Sequence, residues 1–437
     1  MVQTQQRDSK GKMVILGIQH VFAMFGSTVL VPILTGIDPS LALLCAGLGT
    51  LLFHLITGRK VPAFLGSSFA FIYAIQTVAG SYGAMGTPGY QEGLQYACGG
   101  IVVAGALYVV LALLVKLFGA DRIRSFFPPV VTGPMVMIIG LMLAPTAINN
   151  ITTANNVALT GPSLWLNWLV ALVTILTMFI VSLYCKGFFK LVPILFGIAA
   201  GYITSLIITW CGHPMVDLTT VQQASWVAMP KFMLPKFAVG PILSVAPLSI
   251  VTFVEHIGDM QANGSVVGKD FFKDPGLHRT LLGDGLATML AGAIGGPANT
   301  TYSENTGVLA ATKNYNPVTL EIAAVFAILM AFIGKFSGFL NSLPPAVMGG
   351  VSIILFGMIA AVGLRTLVEN QVDFKNSRNL MIVAVMLVLG LGGAALNFSF
   401  TYKGVPGEIA LSGAALAAVV GIILNKAMPE KAGKEEA

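Results

Sequence analysis

The sequence predicts an all-α polytopic membrane protein of about fourteen transmembrane spans, built as two inverted seven-span repeats with short extended segments in the third and tenth spans. Three observations lead there. Apolar runs long enough to cross a bilayer follow one another along nearly all 437 residues, basic residues cluster on one side of them, and short motifs of the first half return in order in the second. The chain is 56% hydrophobic and 10% charged, with a mean hydropathy of +0.84. No soluble domain of useful size fits between the runs.

The expected spans are 13–34, 40–58, 62–80, 94–117, 128–148, 163–184 and 191–211, then 241–263, 280–295, 298–313, 317–340, 346–364, 379–396 and 406–425. The first run is too long for a signal-peptide core and lacks a cleavage pattern, so it is read as a retained span. The longest connection, 212–239, is interrupted by Pro214, Pro230 and Pro235. With the N-terminus in the cytoplasm, twenty of the 24 Lys and Arg residues face inward, and only Lys231, Lys236, Lys335 and Lys403 face outward. This asymmetry predicts a multi-pass protein of the cytoplasmic membrane with both termini inside. The net charge of +6 is thereby a topology signal and no reason to invoke nucleic acid. Cys45, Cys98, Cys185 and Cys211 lack metal-ligand spacing and read as small buried hydrophobes; neither a metal nor a cofactor is called for.

Three matches carry the repeat: Ile18–Met24 (IQHVFAM) with Val254–Met260 (VEHIGDM), the PAFLGSSF run from Pro62 with PANTTYSE from Pro297, and FPPVVTGP from Phe127 with LPPAVMGG from Leu343. Seven crossings separate equivalent positions, and an odd number inverts the second copy. Paired broken segments in inverted repeats are how many secondary transporters build a midplane substrate site. The stretch GGPANTTYSENTG, Gly295–Gly307, strings eight polar or aromatic residues together in a greasy chain. Its partner starts at a proline and has a glycine-serine break, with a helix start expected at Ser67 or Ser68. Each is read as an extended half followed by a half-helix. Extended backbone at membrane depth must find its hydrogen bonds in protein or in a polar ligand.

Acidic residues within spans are few: Glu255, Asp259, Asp284, Glu304 and Glu321. Each is costly there and a functional candidate. Glu255 and Asp259, at i and i+4, share one helix face, and two close carboxylates in a low-dielectric setting do not both ionise easily. That suits a proton carrier. Glu304 opens the second half-helix, where backbone N–H groups favour an acceptor. Across the repeat, Gln19 stands opposite Glu255 and Phe69 opposite Glu304, so one copy offers an amide and an aromatic face and the other offers acids. A planar ligand with N–H donors fits that set. Asp284 is read as a support from the ninth span, and Glu321 as a surface or interhelical residue.

At SSFAF (Ser67–Phe71), VEHIGD (Val254–Asp259), DPGLHR (Asp274–Arg279) and TYSENTGVLAATK (Thr301–Lys313), the chain resembles the nucleobase-ascorbate transporters, also called the nucleobase-cation symporter-2 family. The similarity covers nearly the whole length. Its most specific element is Glu304-Asn305-x-Gly307 followed by Thr312-Lys313, and within the family it is most similar to bacterial uracil permeases. The resemblance implies cytoplasmic tails at 1–12 and 426–437, a core domain from 13–117 and 240–340, and a gate domain from 118–211 and 341–425. An extracellular connection at 212–239 would join the two repeats. It also implies proton-coupled uracil uptake by alternating access, with Phe69, Glu255, Tyr302, Ser303 and Glu304 binding the base. Glu255 and Asp259 would couple the proton, with Gln19, Asp284 and Asn305 in support. A homodimer in the lipid bilayer is left open. One departure matters: uracil-type members carry His where this chain has Asp259 and Asn where it has Asp284, whereas purine-type members tend to have Asp at both. Xanthine, alone or with uracil, is therefore the alternative substrate, and an anion carrier of similar architecture the alternative class. An enzyme is not expected, since Glu255, His256 and Asp259 do not form HExxH and Gly283-Asp284 has no partnering YD motif.

Overall fold

A computed structural model describes residues 10–120, 122, 125–154, 157–402 and 405–428; most of the two expected tails, 1–9 and 429–437, lies outside the described residues. In the first half, α1 (Lys10–Thr35) is followed by α2 (Pro39–Ile56), whose start is capped by Asp38 accepting from the Ser40 N–H at 3.0 Å. A carboxylate before a proline at the first helical position is a strong helix start. Then come β1 (Leu65–Ser67), a 3-10 turn (Phe69–Phe71), α3 (Ile72–Gly80), α4 (Pro88–Phe118), α5 (Pro129–Met142), α6 (Ala144–Thr152), a two-residue-stranded hairpin (β2, Thr153–Ala154; β3, Val157–Ala158), α7 (Gly161–Tyr184) and α8 (Pro193–Trp210). After a short α9 (Thr219–Gln223), the second half contains α10 (Val239–Val245), α11 (Leu248–Val267), α12 (Leu277–Ile294), β4 (Asn299–Thr301), α13 (Ser303–Thr312), α14 (Pro317–Ala331), α15 (Gly334–Asn341), α16 (Pro345–Glu369) and α17 (Ser377–Leu391). It closes with β5 (Ala395–Tyr402), β6 (Val405–Ser412) and α18 (Gly413–Ala427).

Eight helical stretches are long and apolar enough to cross a membrane, and four shorter apolar helices accompany them. Three expectations need correction. The span at 317–340 is broken at Phe332-Ile333 into α14 and α15, whereas the span at 241–263 lies in one apolar helical stretch, Val239–Val267, that kinks at Ala246-Pro247 between α10 and α11, where proline lacks the N–H a continuous helix would use. The span at 406–425 is helical only from Gly413, since 405–412 is a strand paired antiparallel with 395–402. Leu396, Phe398, Phe400 and Tyr402 alternate there with Asn397, Ser399 and Thr401, a period-two pattern in the stretch read as the connection between the last two spans. Of the four cysteines, Cys45 and Cys98 are buried as expected, but Cys185 is half-buried and Cys211 exposed, both just beyond helix ends.

The helices sort into two sets. In one, α4 packs on α12, α2 on both α12 and α14, and α1 on α14, each pair joining the first half of the chain to the second. In the other, α16 packs on α5, α6 and α7, α7 on α8, and α17 on α18. Small residues permit the close approaches: a Cβ on Gly105 of α4 would lie 2.6 Å from the carbonyl oxygen of Gly285 on α12. Without a hydrophobic drive between helices in lipid, such backbone proximity is the main source of packing energy.

At the centre of the first set, β1 and β4 pair antiparallel with Leu65 opposite Thr301, Gly66 opposite Thr300 and Ser67 opposite Asn299. The ladder is extended by the Ser68 N–H to Ala298 O (2.8 Å) and the Tyr302 N–H to Phe64 O (2.9 Å). Side chains satisfy the outer edges: Thr50 accepts from the Leu65 N–H at 2.9 Å, and the Thr288 hydroxyl donates to Asn299 O at 2.8 Å. All six strand residues are buried. The extended backbone is thus sealed by protein, the condition for its survival at membrane depth. Gly66 is required by proximity, since a Cβ there would lie 2.4 Å from the Tyr302 ring.

Candidate functional site

Two short helices leave this strand pair. On one arm, Ser68 precedes the 3-10 turn and Phe69 is its first residue. On the other, Tyr302 occupies the cap position without a side-chain capping bond, α13 starts at Ser303, and Glu304 is the acid of its first turn. The Tyr302 ring is turned into the protein: its hydroxyl donates to Ser67 O at 2.9 Å and accepts from the Thr28 hydroxyl at 3.4 Å. The Ser67 hydroxyl donates in turn to Thr28 O at 3.1 Å. Tyr302 therefore ties both arms to α1.

Each acid has a distinct environment. Glu304 accepts from the Ser27 hydroxyl at 2.7 Å through Oε1. Asp259 accepts on both oxygens, from the Thr301 hydroxyl at 2.8 Å and the Ser303 hydroxyl at 2.5 Å, which pins α11 to the β4–α13 junction. Asp284 on α12 is 3.1 Å from His256 Nδ1, and His256 Nε2 is 2.9 Å from the Thr280 hydroxyl. Glu255 differs: half-buried, it makes no hydrogen bond or ion pair among the described residues and stands within electrostatic reach of Asp259, Asp284 and Glu304. No Lys or Arg pairs with any of these four carboxylates among the described residues. No cluster of metal-ligating side chains occurs among them either.

Of the residues singled out from sequence, Ser303 and Asp259 are in direct contact, Glu255 lies one turn before Asp259, and Glu304 follows Ser303. The turn that carries Phe69 touches α11, and the half-buried Phe69 ring meets Phe356 of α16 edge-on at 6.4 Å. Asn305 donates to the ring and carbonyl of His20 at 3.1 Å. Gln19 is half-buried on α1, its Oε1 without a partner. A cavity of about 30 Å³ beside Phe69, reaching Tyr73, Ile139, Met142 and Ser244, has room for water and not for a heterocycle. Asp284 reaches the group only through His256. Glu321 stands apart, 2.8 Å from Arg59 Nε and 3.4 Å from His54 Nδ1. Ser27, Thr28, Thr280 and Thr301 escaped the sequence reading as partners. Ser27-Thr28, a pair of hydroxyls two turns after Gln19-His20 in the largely apolar first span, was the available signal.

Comparison with known proteins gives one consistent answer. The model of the Permease family (Xan_ur_permease) matches residues 11–398. A probable uracil permease of Haemophilus influenzae is 43% identical, covering 99% of this chain and 98% of the relative. The uracil permease of Bacillus caldolyticus is 44% identical with 97% and 94% covered, and that of Escherichia coli K12 is 37% identical with 94% and 90% covered. Among solved structures, the transmembrane domain of the cyanobacterial bicarbonate transporter BicA superposes with a TM-score of 0.65 at 14% identity, covering 97% of this chain and 98% of that one. The murine Solute Carrier 26 member A9 anion transporter does so with a TM-score of 0.69 at 11% identity, covering 97% of this chain and 69% of that one. These two share the fold alone. With a family match over most of its length and relatives this similar from end to end, the chain belongs to the Permease family and is a multi-pass membrane transporter, not an enzyme.

Proposed function

We propose that this protein is a nucleobase permease of the cytoplasmic membrane that takes up uracil with a proton by alternating access. The observation that carries the reading is Glu304: its carboxylate is oriented by Ser27 at 2.7 Å, at the start of α13, while Phe69 opens the short helix after the paired strand. A flat ring with N–H donors stacks on the second and donates to the first. Ser303 adds a hydroxyl, and the backbone at Tyr302-Ser303 carries the edge on which the base is read. The printed names of the relatives support uracil.

Glu255 is the proton carrier in this reading because, unlike the other three acids, its carboxylate is not engaged. Asp259 is its negative neighbour, held by Thr301 and Ser303. The whole chain is read as fourteen crossings in two inverted sevens with both termini cytoplasmic. The set built on α1, α2, α4, α12 and α14 is the core domain that carries substrate, and the set built on α5, α7, α8 and α16 the gate domain; their separate packing supports the division. Xanthine remains the second substrate reading, favoured by Asp259 and Asp284. An anion carrier is disfavoured despite the fold neighbours, since four carboxylates with no Lys or Arg beside them among the described residues are a poor setting for an anion.

Purified protein tested by thermal shift with uracil, thymine, xanthine, hypoxanthine, guanine and ascorbate decides the substrate, and counterflow of labelled uracil in proteoliposomes decides the class. Stabilisation and counterflow by uracil are expected. Stabilisation by xanthine alone would move the assignment to the purine, and no response to any base would end the nucleobase reading.

A further inference from the structure

The connection after α9 is held as a strap across one end of the first helix set. The Ala228 N–H donates to Phe332 O and the Gly334 N–H donates to Trp226 O, both at 3.0 Å, so that Val227 bridges Ile333 antiparallel. Farther on, the Lys231 N–H donates to Asp38 at 2.7 Å, the Met233 N–H to Ile294 O at 3.1 Å and the Lys236 N–H to Gln95 O at 2.9 Å. Lys335 Nζ donates to the carbonyls of Val221 and Gln222, both at 2.9 Å, and lies 5.9 Å from the Trp226 ring. The strap thus crosses the ends of α2, α4, α12 and α14 with a fixed backbone.

Its side chains divide in two. Pro230 is buried and Ala228 and Met233 are half-buried, whereas Trp226 (76%), Val227 (78%), Met229 (71%), Leu234 (79%) and Phe237 (58%) are exposed. So large an apolar face on a fixed backbone marks a contact surface. Its continuity identifies what covers it. On α14, Val325 (47%) and Leu329 (57%) stand one turn apart on the outside of an apolar helix, and Ile333 (40%) follows just beyond its end, an exposed apolar stripe of the kind that suits hydrocarbon. Val227 is bridged to the last of them, so the apolar surface runs without interruption from the helix onto the strap. Lys231, exposed in the middle of the strap, adds a cation to this apolar face. Aromatic and aliphatic side chains beside lysine at a span's end are the composition of the bilayer interface.

We infer that residues 226–237 form an interfacial membrane anchor, with Trp226, Val227, Met229, Leu234 and Phe237 lying among phospholipid head groups and the first acyl carbons of the leaflet at this end. The strap then fastens the first helix set to that leaflet. A second copy of the chain, which would need about 800 Å² a side for a stable dimer, is the alternative occupant that the copy number per disc separates.

The test uses the full chain in lipid nanodiscs, one copy per disc, with Trp165, Trp168 and Trp210 replaced by Phe so that Trp226 is the one emitter. The expected result is blue-shifted Trp226 emission, most of which is lost when the discs contain phospholipid brominated near the head-group end of its acyl chains, with little quenching by aqueous iodide. Emission typical of indole in water, quenched by iodide and indifferent to the bromolipid, overturns the inference. So does a blue shift that depends on two copies per disc and ignores the bromolipid. Should the triple variant fail to fold, the comparison of wild type with Trp226→Phe serves: the bromolipid-quenched emission must be smaller in the variant than in wild type, and an equal quenched emission refutes the anchor.

Discussion

The two arms of the central strand pair have the same backbone plan and opposite chemistry. Each is a three-residue strand followed by a short helix, and each strand satisfies the other's hydrogen bonds. Yet the arm after β1 presents Phe69, Ala70 and Phe71, while the arm after β4 presents Ser303, Glu304 and Asn305. The shared plan solves a problem of solvation, since no strand can stand alone in hydrocarbon. What differs is free to serve recognition. In the proposed reading, one arm gives the base a surface to lie on and the other gives it acceptors and charge.

This division of labour can be broken from the acidic side first. Glu255→Gln imitates a permanently protonated acid, so accumulation of uracil driven by an imposed pH gradient is expected to be abolished, while exchange of internal for external uracil persists at least in part. Vesicles of that variant that still concentrate uracil would transfer the role to Asp259 or Asp284. Next in size is Glu304→Gln, which exchanges one acceptor oxygen for a donor. Loss of a charged hydrogen bond to a buried ligand costs roughly 1.5 to 3 kcal/mol, or about tenfold or more in affinity. Calorimetry showing unchanged uracil binding would remove Glu304 from the site.

The aromatic arm is expected to matter less. Phe69→Ala forfeits a stacking contact worth about 0.5 to 1.5 kcal/mol beyond its buried area, so uracil affinity should fall roughly two- to tenfold; a larger loss than in Glu304→Gln would invert the comparison. The smallest effect is displacement without abolition. Asp259→Asn removes a negative neighbour that favours proton binding at Glu255, so the profile of initial uptake rate against external pH should move to lower pH. A profile that stays in place, or moves the other way, would separate Asp259 from coupling.

Much of this was legible in the sequence, for identifiable reasons. Gly66-Ser67-Ser68 and Asn299-Thr300-Thr301 interrupt apolar runs, and polar residues that cannot face lipid announce a non-helical segment. Carboxylates within spans are equally conspicuous. What escaped depended on partners far apart in the chain: Ser27 and Glu304 are separated by 277 positions, and nothing local says that they meet. His256 was noticed only as a neighbour of the acids, since its bonds to Asp284 and Thr280 require α11 and α12 side by side. The strand at 405–412 was missed because Ile409, Ala410 and Leu411 run on into the apolar stretch from Gly413 and read with it as one span. Cys185 and Cys211 were assigned to the interior by residue type, although their positions beyond helix ends expose them.

The pairing of β1 with β4 also imposes an order on biosynthesis. Ser67 and Tyr302, which clasp the two arms, are 235 residues apart, and at translation rates of about 5–20 residues per second the first strand waits roughly ten to fifty seconds for its mate. Throughout that interval Leu65, Gly66 and Ser67 have been inserted or held back with their peptide groups unanswered. The first half of the polypeptide is accordingly an unfinished object, unable to mature before the second half leaves the ribosome. Substitutions along either strand should therefore be felt as lost yield of assembled protein, through quality control, before they are felt in the turnover of the molecules that survive it.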